Sequence, residues 1–296
     1  PDNRGHGTHV TGTVAAVTNH AFGVAGTAGG NGEFANGRGT GVRFMVTPGL
    51  NQPDAYVYAA DNGAVVSQNS WGFTSPGVFP QSLQDAIDYF IDNGGGDHLD
   101  GGIVVFSAGN DSDNGDWFPA AYDPIVSVAS TDQNDNVSSF SNYGEWVDIA
   151  APGTAILSTW IAGQGSVEEN FEFLSGTSMA APHVSGAASL VVSEFSDVSS
   201  PEQVESILEE SADDVGATLD IGAGRLNLAQ ALQADDGNAP ATITELQSTD
   251  AASAHVDLPS RWPGGDPSIL ALVSAADPHR SHTSYHNTPR HRTPAT

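Results

Sequence analysis

Short apolar runs alternate along the chain with longer stretches in which apolar residues return every third or fourth position. Residues 42–46, 64–70 and 102–107 are runs of strand length bounded by turn formers, the first reading as a buried strand. Residues 53–62 and 81–93 instead carry helical spacing, the latter with Leu83, Ile87, Phe90 and Ile91 on one side. A helix opens at His6 with Val10, Val14, Ala15 and Val17 as its buried side, strands return at 126–130 and 146–150, and a small, apolar helix runs from Ser178 to about Val192. Ser200, Pro201 and Glu202 form the N-cap, first-turn proline and first-turn acid of a further helix, and 228–232 gives a last one. The alternation predicts an α/β fold with a mostly parallel central sheet and helices on both faces, 102–107 being a central strand covered on both sides. Residues 18–41, rich in Gly and Asn, and 163–170, with Glu168 and Glu169, are expected to be loops.

Two residues refine the helix at Ser178. Pro182 is expected in its first turn, where no N–H is needed. Gly186, which costs about 1 kcal/mol relative to Ala inside a helix, is expected where another element packs closely.

Composition removes several function classes. The 296 residues contain no Cys, so neither a disulfide framework nor a thiol nucleophile is available. No apolar run is long enough to span a membrane. With 8 Arg, no Lys and a net charge of −28, the chain repels nucleic acid and acidic membranes. The acidity serves either solubility or life at high salt, where the Debye length falls to about 3 Å and carboxylate repulsion is screened.

Candidate chemistry sits at three places. Ser178, after Gly176 and Thr177, falls at a helix N-terminus, where unpaired N–H groups and the helix dipole favour negative charge, as on an oxyanion. A serine there is also an ordinary N-cap. His6 and His9 lie on one side of a helix, but the Glu of a His-Glu-x-x-His metal site is replaced by Gly7, which argues against zinc. Asn110 follows the strand 102–107, where ligands collect beyond the carboxyl ends of strands, and is equally a simple turn residue.

Taken together, Gly5-His6-Gly7-Thr8-His9-Val10-Thr11-Gly12, Phe106-Ser107-Ala108-Gly109-Asn110 and Gly176-Thr177-Ser178-Met179-Ala180-Ala181-Pro182-His183 resemble the motifs of the subtilisin-like serine proteases, in the same order, over Asp2 to about Leu232. The resemblance implies a three-layer subtilisin-like fold and peptide hydrolysis through an acyl-enzyme, with Ser178 as nucleophile, His6 as base and Asn110 as oxyanion donor. His9 is then a packed, hydrogen-bonded neighbour. Ser70, Trp71 and Gly72, with Ser107, Ala108 and Gly109, match the segments that bind an extended substrate, Trp71 being alternatively a rim aromatic without a ligand. Calcium is implied at Val17, Asn19, Phe22 and Val24, and a second, weaker cation site at Ala120, Tyr122 and Ile125. A secreted, monomeric, salt-adapted, halolysin-like enzyme acting on protein or peptide substrates is the corresponding expectation. A catalytically inactive, subtilisin-like binding module is the alternative.

One part of the pattern is missing. The family's orienting Asp precedes the His by some thirty residues, on a central strand, whereas five residues precede His6 here. Asp2 is too near and is expected to cap or flank the helix. The chain is therefore expected to be an N-terminally truncated peptidase domain, 1–234, inactive when produced alone. Residues 235–254 suggest a linker and the start of a fibronectin type III-like module. From His255 the chain carries four Arg and five His against three acids and no sustained apolar pattern, so 255–296 is expected to be a disordered tail, a shifted reading frame being the other explanation.

Overall fold

The computed structural model describes residue 2 and residues 4–18, 22–31, 34–35, 38–39, 41–47, 52–167, 170–233 and 270–275. After helix α1 (His6–Ala15), strands β1 (Phe34–Ala35) and β2 (Arg38–Gly39) form a small antiparallel pair. Then β3 (Arg43–Val46), α2 (Pro53–Asp61), β4 (Ala64–Ser70), α3 (Gln81–Asn93), β5 (Ile103–Ser107), β6 (Val126–Thr131) and β7 (Ile149–Pro152) alternate much as the periodicity predicts. A hairpin of β8 (Ile156–Thr159) and β9 (Phe171–Leu174) leads to α4 (Thr177–Glu194), α5 (Pro201–Glu210) and α6 (Leu228–Ala231), and the last described element is β10 (Leu270–Ala275).

The central sheet has the order β3-β10-β4-β5-β6-β7, and every pair in it is parallel. Its strands alternate between two apolar layers. Ile103 and Val105 of β5 join Val126, Val128 and Ile149 against Ala180, Ala181, Val184, Ala187, Ala188 and Val191 of α4. Val104 and Phe106 point the other way, onto Leu83, Ile87 and Phe90 of α3 and Tyr56 and Ala59 of α2. Helices thus cover both faces, and a side chain such as Phe90 or Ile87, wholly removed from water, contributes about 1.5–3 kcal/mol. A helix that is small and apolar on nearly every side belongs inside a protein, and α4 runs along one face of the sheet.

Several expectations are corrected. Residues 43–46 are not a buried strand: β3 is at the edge of the sheet, so Arg43 and Val46 are exposed. The strand expected at 146–150 begins later, at Ile149, because Trp146 and Val147 lie in the turn closed by Val147 N–H to Gly144 O. Val17 lies beyond the end of α1 and is exposed, not part of its buried face. The alternation Phe171-Glu172-Phe173-Leu174, unread in the sequence, forms β9 against β8. Within the tail expected to be disordered, Leu270–Ala275 forms a strand that fills a central place in the sheet, paired with β3 on one side and β4 on the other. The linker and module start suggested at 235–254 lie outside the described residues.

Candidate active site

Ser178 is the second residue of α4, as the change from turn formers to a small apolar run predicts. Gly176 is the N-cap and donates no side chain, so the first N–H groups of α4 are left for another acceptor. Pro182 is not in the first turn but inside the helix. Its missing N–H is the one that would have bonded the carbonyl of Ser178, four residues earlier. Ser70 Oγ, from the carboxyl end of β4, donates to that carbonyl instead at 2.7 Å. Gly186 has the expected role, since a Cβ there would stand 2.6 Å from Thr27 Cβ.

His6 is the first residue of α1, and Val10, one turn on, shares an apolar cluster with Met179, the neighbour of Ser178. That contact sets the starting turns of α1 and α4 against each other. Asp2 behaves as expected of a capping residue: Oδ1 accepts from the N–H groups of Arg4 and Gly5, and Oδ2 from Thr8 N–H at 2.7 Å and Thr8 Oγ1 at 2.9 Å. These bonds outweigh the desolvation of Asp2 and hold its carboxyl below the usual range. His6 Nδ1 is buried, and among the described residues it has no hydrogen-bond partner. Burial, reinforced by the charge of His9 and opposed by Asp2, lowers the His6 pKa to about 4, so the ring is neutral at physiological pH. His9 is the packed neighbour foreseen: it is fully buried, its Nε2–H donates to Ile156 O at 3.0 Å and Glu172 O at 3.1 Å, and its ring meets the edge of Trp160.

Asn110 stands just past β5. Its Oδ1 accepts from Thr177 N–H at 2.8 Å and Thr177 Oγ1 at 3.1 Å, and Thr177 Oγ1 in turn accepts from Gly109 N–H at 3.1 Å. With the oxygen held by Thr177, the amide NH2 has no hydrogen-bond partner among the described residues. A Cβ built on Gly176 would lie 3.6 Å from Asn110 Oδ1 and 3.7 Å from both Asn110 Nδ2 and Ser178 N, so the Asn110 amide and the Ser178 N–H both border Gly176. Asn110 is thereby joined to the first residue of α4, with Ser178 the next residue along the helix.

The remaining sequence candidates are placed unevenly. Trp71 is not a rim aromatic: its ring is buried edge-on to Phe106 and Phe73, and its Nε1–H donates to Asn69 Oδ1 at 3.3 Å. Ser70 is buried and committed to Ser178. Gly72 is exposed and nothing lies within 4 Å of a Cβ built on it. Ser107 and Ala108 are buried at the end of β5, and Gly109 is partly exposed. Asn19 lies outside the described residues, while Val17 and Phe22 are exposed and Val24 is half-buried. In the second set, Ala120 and Ile125 are buried, and the carbonyl of Tyr122 already accepts the Ile125 N–H at 2.9 Å.

Sequence reasoning missed one group. Asp148, just before β7, meets Glu205 and Glu209 of α5, with one ligand atom from each within 4.8 Å of the others. Burial, and then the surrounding acids, raise Asp148 to about 6 and Glu205 to about 7, and burial and Glu210 raise Glu209. The i, i+4 spacing of Glu205 and Glu209 was the visible signal, but their meeting with Asp148 depends on the docking of α5.

Compared with known proteins, the profile of the family described as "Subtilase family" matches residues 1–226. Thermitase from Thermoactinomyces vulgaris is 40% identical over 239 residues, covering 79% of this chain and 77% of thermitase. A thermophilic serine proteinase from Bacillus sp. (strain AK1) is 37% identical, covering 73% of this chain and 49% of that protein. Subtilisin DY from Bacillus licheniformis is 34% identical, covering 78% and 79%. Among solved structures, a protease from Pseudoalteromonas arctica PAMC 21717 superposes with a TM-score of 0.61 at 32% identity, covering 77% of this chain and 70% of that one.

Proposed function

The chain belongs to the subtilase family, and from that premise we propose that its peptidase chemistry is carried by His6, Asn110 and Ser178. It is a serine endopeptidase. Ser178 Oγ attacks the scissile carbonyl, His6 takes the hydroxyl proton and returns it to the leaving amine, and water then releases the acyl group by the same route. Asn110 Nδ2 and the N–H of Ser178 hold the oxyanion. For subtilisin, a member of this family, loss of the asparagine donor costs about 3–4 kcal/mol. The observation that supports the assignment is the bonding of Asn110 Oδ1 to Thr177 N–H and Thr177 Oγ1, which holds the side-chain amide at the first residue of α4, next to Ser178 in the chain.

A neutral His6 is a competent proton acceptor, but its buried Nδ1 needs an acceptor of its own. Among the described residues none supplies it, so the orienting acid is assigned to residues outside them. The extended substrate is assigned to the backbone at Gly72, since the side chains of Ser70 and Trp71 are already engaged and the backbone groups of Ala108 and Gly109 are bonded to Val128, Asn142 and Thr177. Calcium is assigned, from membership of the family, to Val17, Asn19, Phe22 and Val24 and, more weakly, to Ala120, Tyr122 and Ile125, whose carbonyl and amide oxygens are the donors hard cations take. When bound it would tie loops together and take no part in the proton transfers. Secretion is proposed from membership of the family; among the described residues no helix is long and apolar enough to cross a membrane.

A fluorophosphonate probe applied to the protein expressed from its whole gene tests the assignment. Labelling is expected at Ser178, lost in Ser178→Ala and His6→Ala, and retained in His9→Ala. Labelling of Ser178→Ala at the wild-type rate would overturn it.

A further inference from the structure

The loop that carries Asn110 is fastened by a second residue besides Thr177 of α4. Asn142 is completely buried, and all the bonds of its amide go to that loop. Its Nδ2 donates to Ala108 O at 3.0 Å, and its Oδ1 accepts from Asp111 N–H at 2.9 Å and Asp113 N–H at 3.2 Å. Its own backbone N–H donates to Gly109 O at 3.0 Å. The bonds fall on both sides of Asn110 and leave Asn110 itself to Thr177. Gly109 completes the fit: its φ is +108°, and a Cβ there would stand 2.3 Å from Asn142 Nδ2, so the amide lies directly against the loop backbone.

We propose that Asn142 is the positioning residue for the oxyanion amide, holding residues 108–113 so that Asn110 meets Thr177 and turns its NH2 toward the space beside Ser178. Buried polar groups are expensive to leave unpaired, so an amide that satisfies one carbonyl and two N–H groups of a single loop fixes that loop more firmly than apolar packing can. Its geometric demand is local. A donor displaced by about 1 Å stabilises a transition state far less while binding the ground state almost as well. The inference rests on the role assigned above to Asn110.

A double-mutant cycle in the whole protein tests it. Asn142→Ala is expected to lower kcat about tenfold or more with KM changed less than threefold, at a temperature well below the unfolding midpoint of each variant. In the Asn110→Ala background the same substitution is expected to change kcat less than threefold, because the donor it positions is gone. Equal losses in the two backgrounds would mean that Asn142 only stabilises the fold, and would overturn the proposal. So would a kcat for Asn142→Ala within threefold of wild type. If Asn142→Ala does not fold, Asn142→Ser, which keeps a hydroxyl in the same cavity, is measured through the same cycle with the same criteria. A wild-type kcat in Asn110→Ala alone would overturn the oxyanion assignment, and this proposal with it. Failure of coupling alone would leave that assignment standing.

Discussion

Pro182 deprives the carbonyl of Ser178 of its helical partner, and Ser70 Oγ takes the place of the missing N–H at 2.7 Å. The replacement joins the carboxyl end of β4 to the backbone of the nucleophile, so Ser178 is fixed by the sheet as well as by its helix. Ser70→Ala leaves a carbonyl without that donor and is expected to cost about 1 kcal/mol of stability. It should also lower kcat several-fold with little change in KM, since the backbone that presents the hydroxyl is loosened. Denaturant unfolding and steady-state kinetics check the two parts. Unchanged values in both would mean that the bond contributes nothing.

At the scale of elements, α5 packs into the core through Val204 and Leu208, and its acids meet Asp148, just before β7 of the sheet. Its start is well specified: Ser200 and Gln203 form a capping box, with Pro201 in the first turn. Its far half brings Glu205 and Glu209 to Asp148. Glu205 is raised to about 7, first by burial and then by its acidic neighbours. The folded protein therefore binds a proton there that the unfolded chain has lost, and stability falls as pH rises from the ordinary glutamate range through about 7. Glu205→Gln removes the titration. It is expected to raise the thermal midpoint at pH 8 and to leave it nearly unchanged at pH 4.5; an equal shift at both would show that the carboxylate does not titrate as described. The sheet supplies a second case. Leu272 of β10 lies opposite Met45 on one side and Ser67 on the other. A proline inside a central strand removes a ladder bond and leaves its partner unpaired, which costs about 1–3 kcal/mol. For a protein of this size that is a fall of roughly 2–10 °C in the midpoint. Leu272→Pro should show it, and a midpoint within 1 °C of wild type would place β10 outside the sheet.

Over the whole molecule the balance of charge is one-sided, with a net −28 and only 8 cationic Lys or Arg side chains. Arg225 is used structurally, pairing with Asp135 at 2.8 Å and Asp213 at 2.6 Å where the chain closes its last turn. Without disulfides, a bound cation is the natural staple for an acidic chain. Ligand binding to the native state alone adds about 2.7 kcal/mol at a hundred times the dissociation constant. Thermal midpoints in calcium are therefore expected to exceed those in chelator by roughly 5–10 °C at fixed ionic strength. Equal midpoints would remove both cation sites.

The sequence by itself determined the elements whose physics is local. Gln81–Asn93 and Ala64–Ser70 have the bounds that periodicity predicts, because apolar spacing and flanking turn residues set them without help from distant contacts. Ser178 at the start of a helix, Asn110 beyond a central strand and Asp2 as a cap were legible for the same reason. Only the tertiary structure decided matters that depend on what lies opposite. Trp71 is core because Phe106 and Phe73 receive it, and β3 is half-exposed because it is the edge of the sheet. Pro182 could sit inside α4 because Ser70 arrives from another strand. Leu270–Ala275, too short and isolated to register as a strand in a polar tail, became one because the unpaired backbone of β3 and β4 offers hydrogen bonds on both sides at once. Such bonds join residues far apart in the chain, and no local pattern records them.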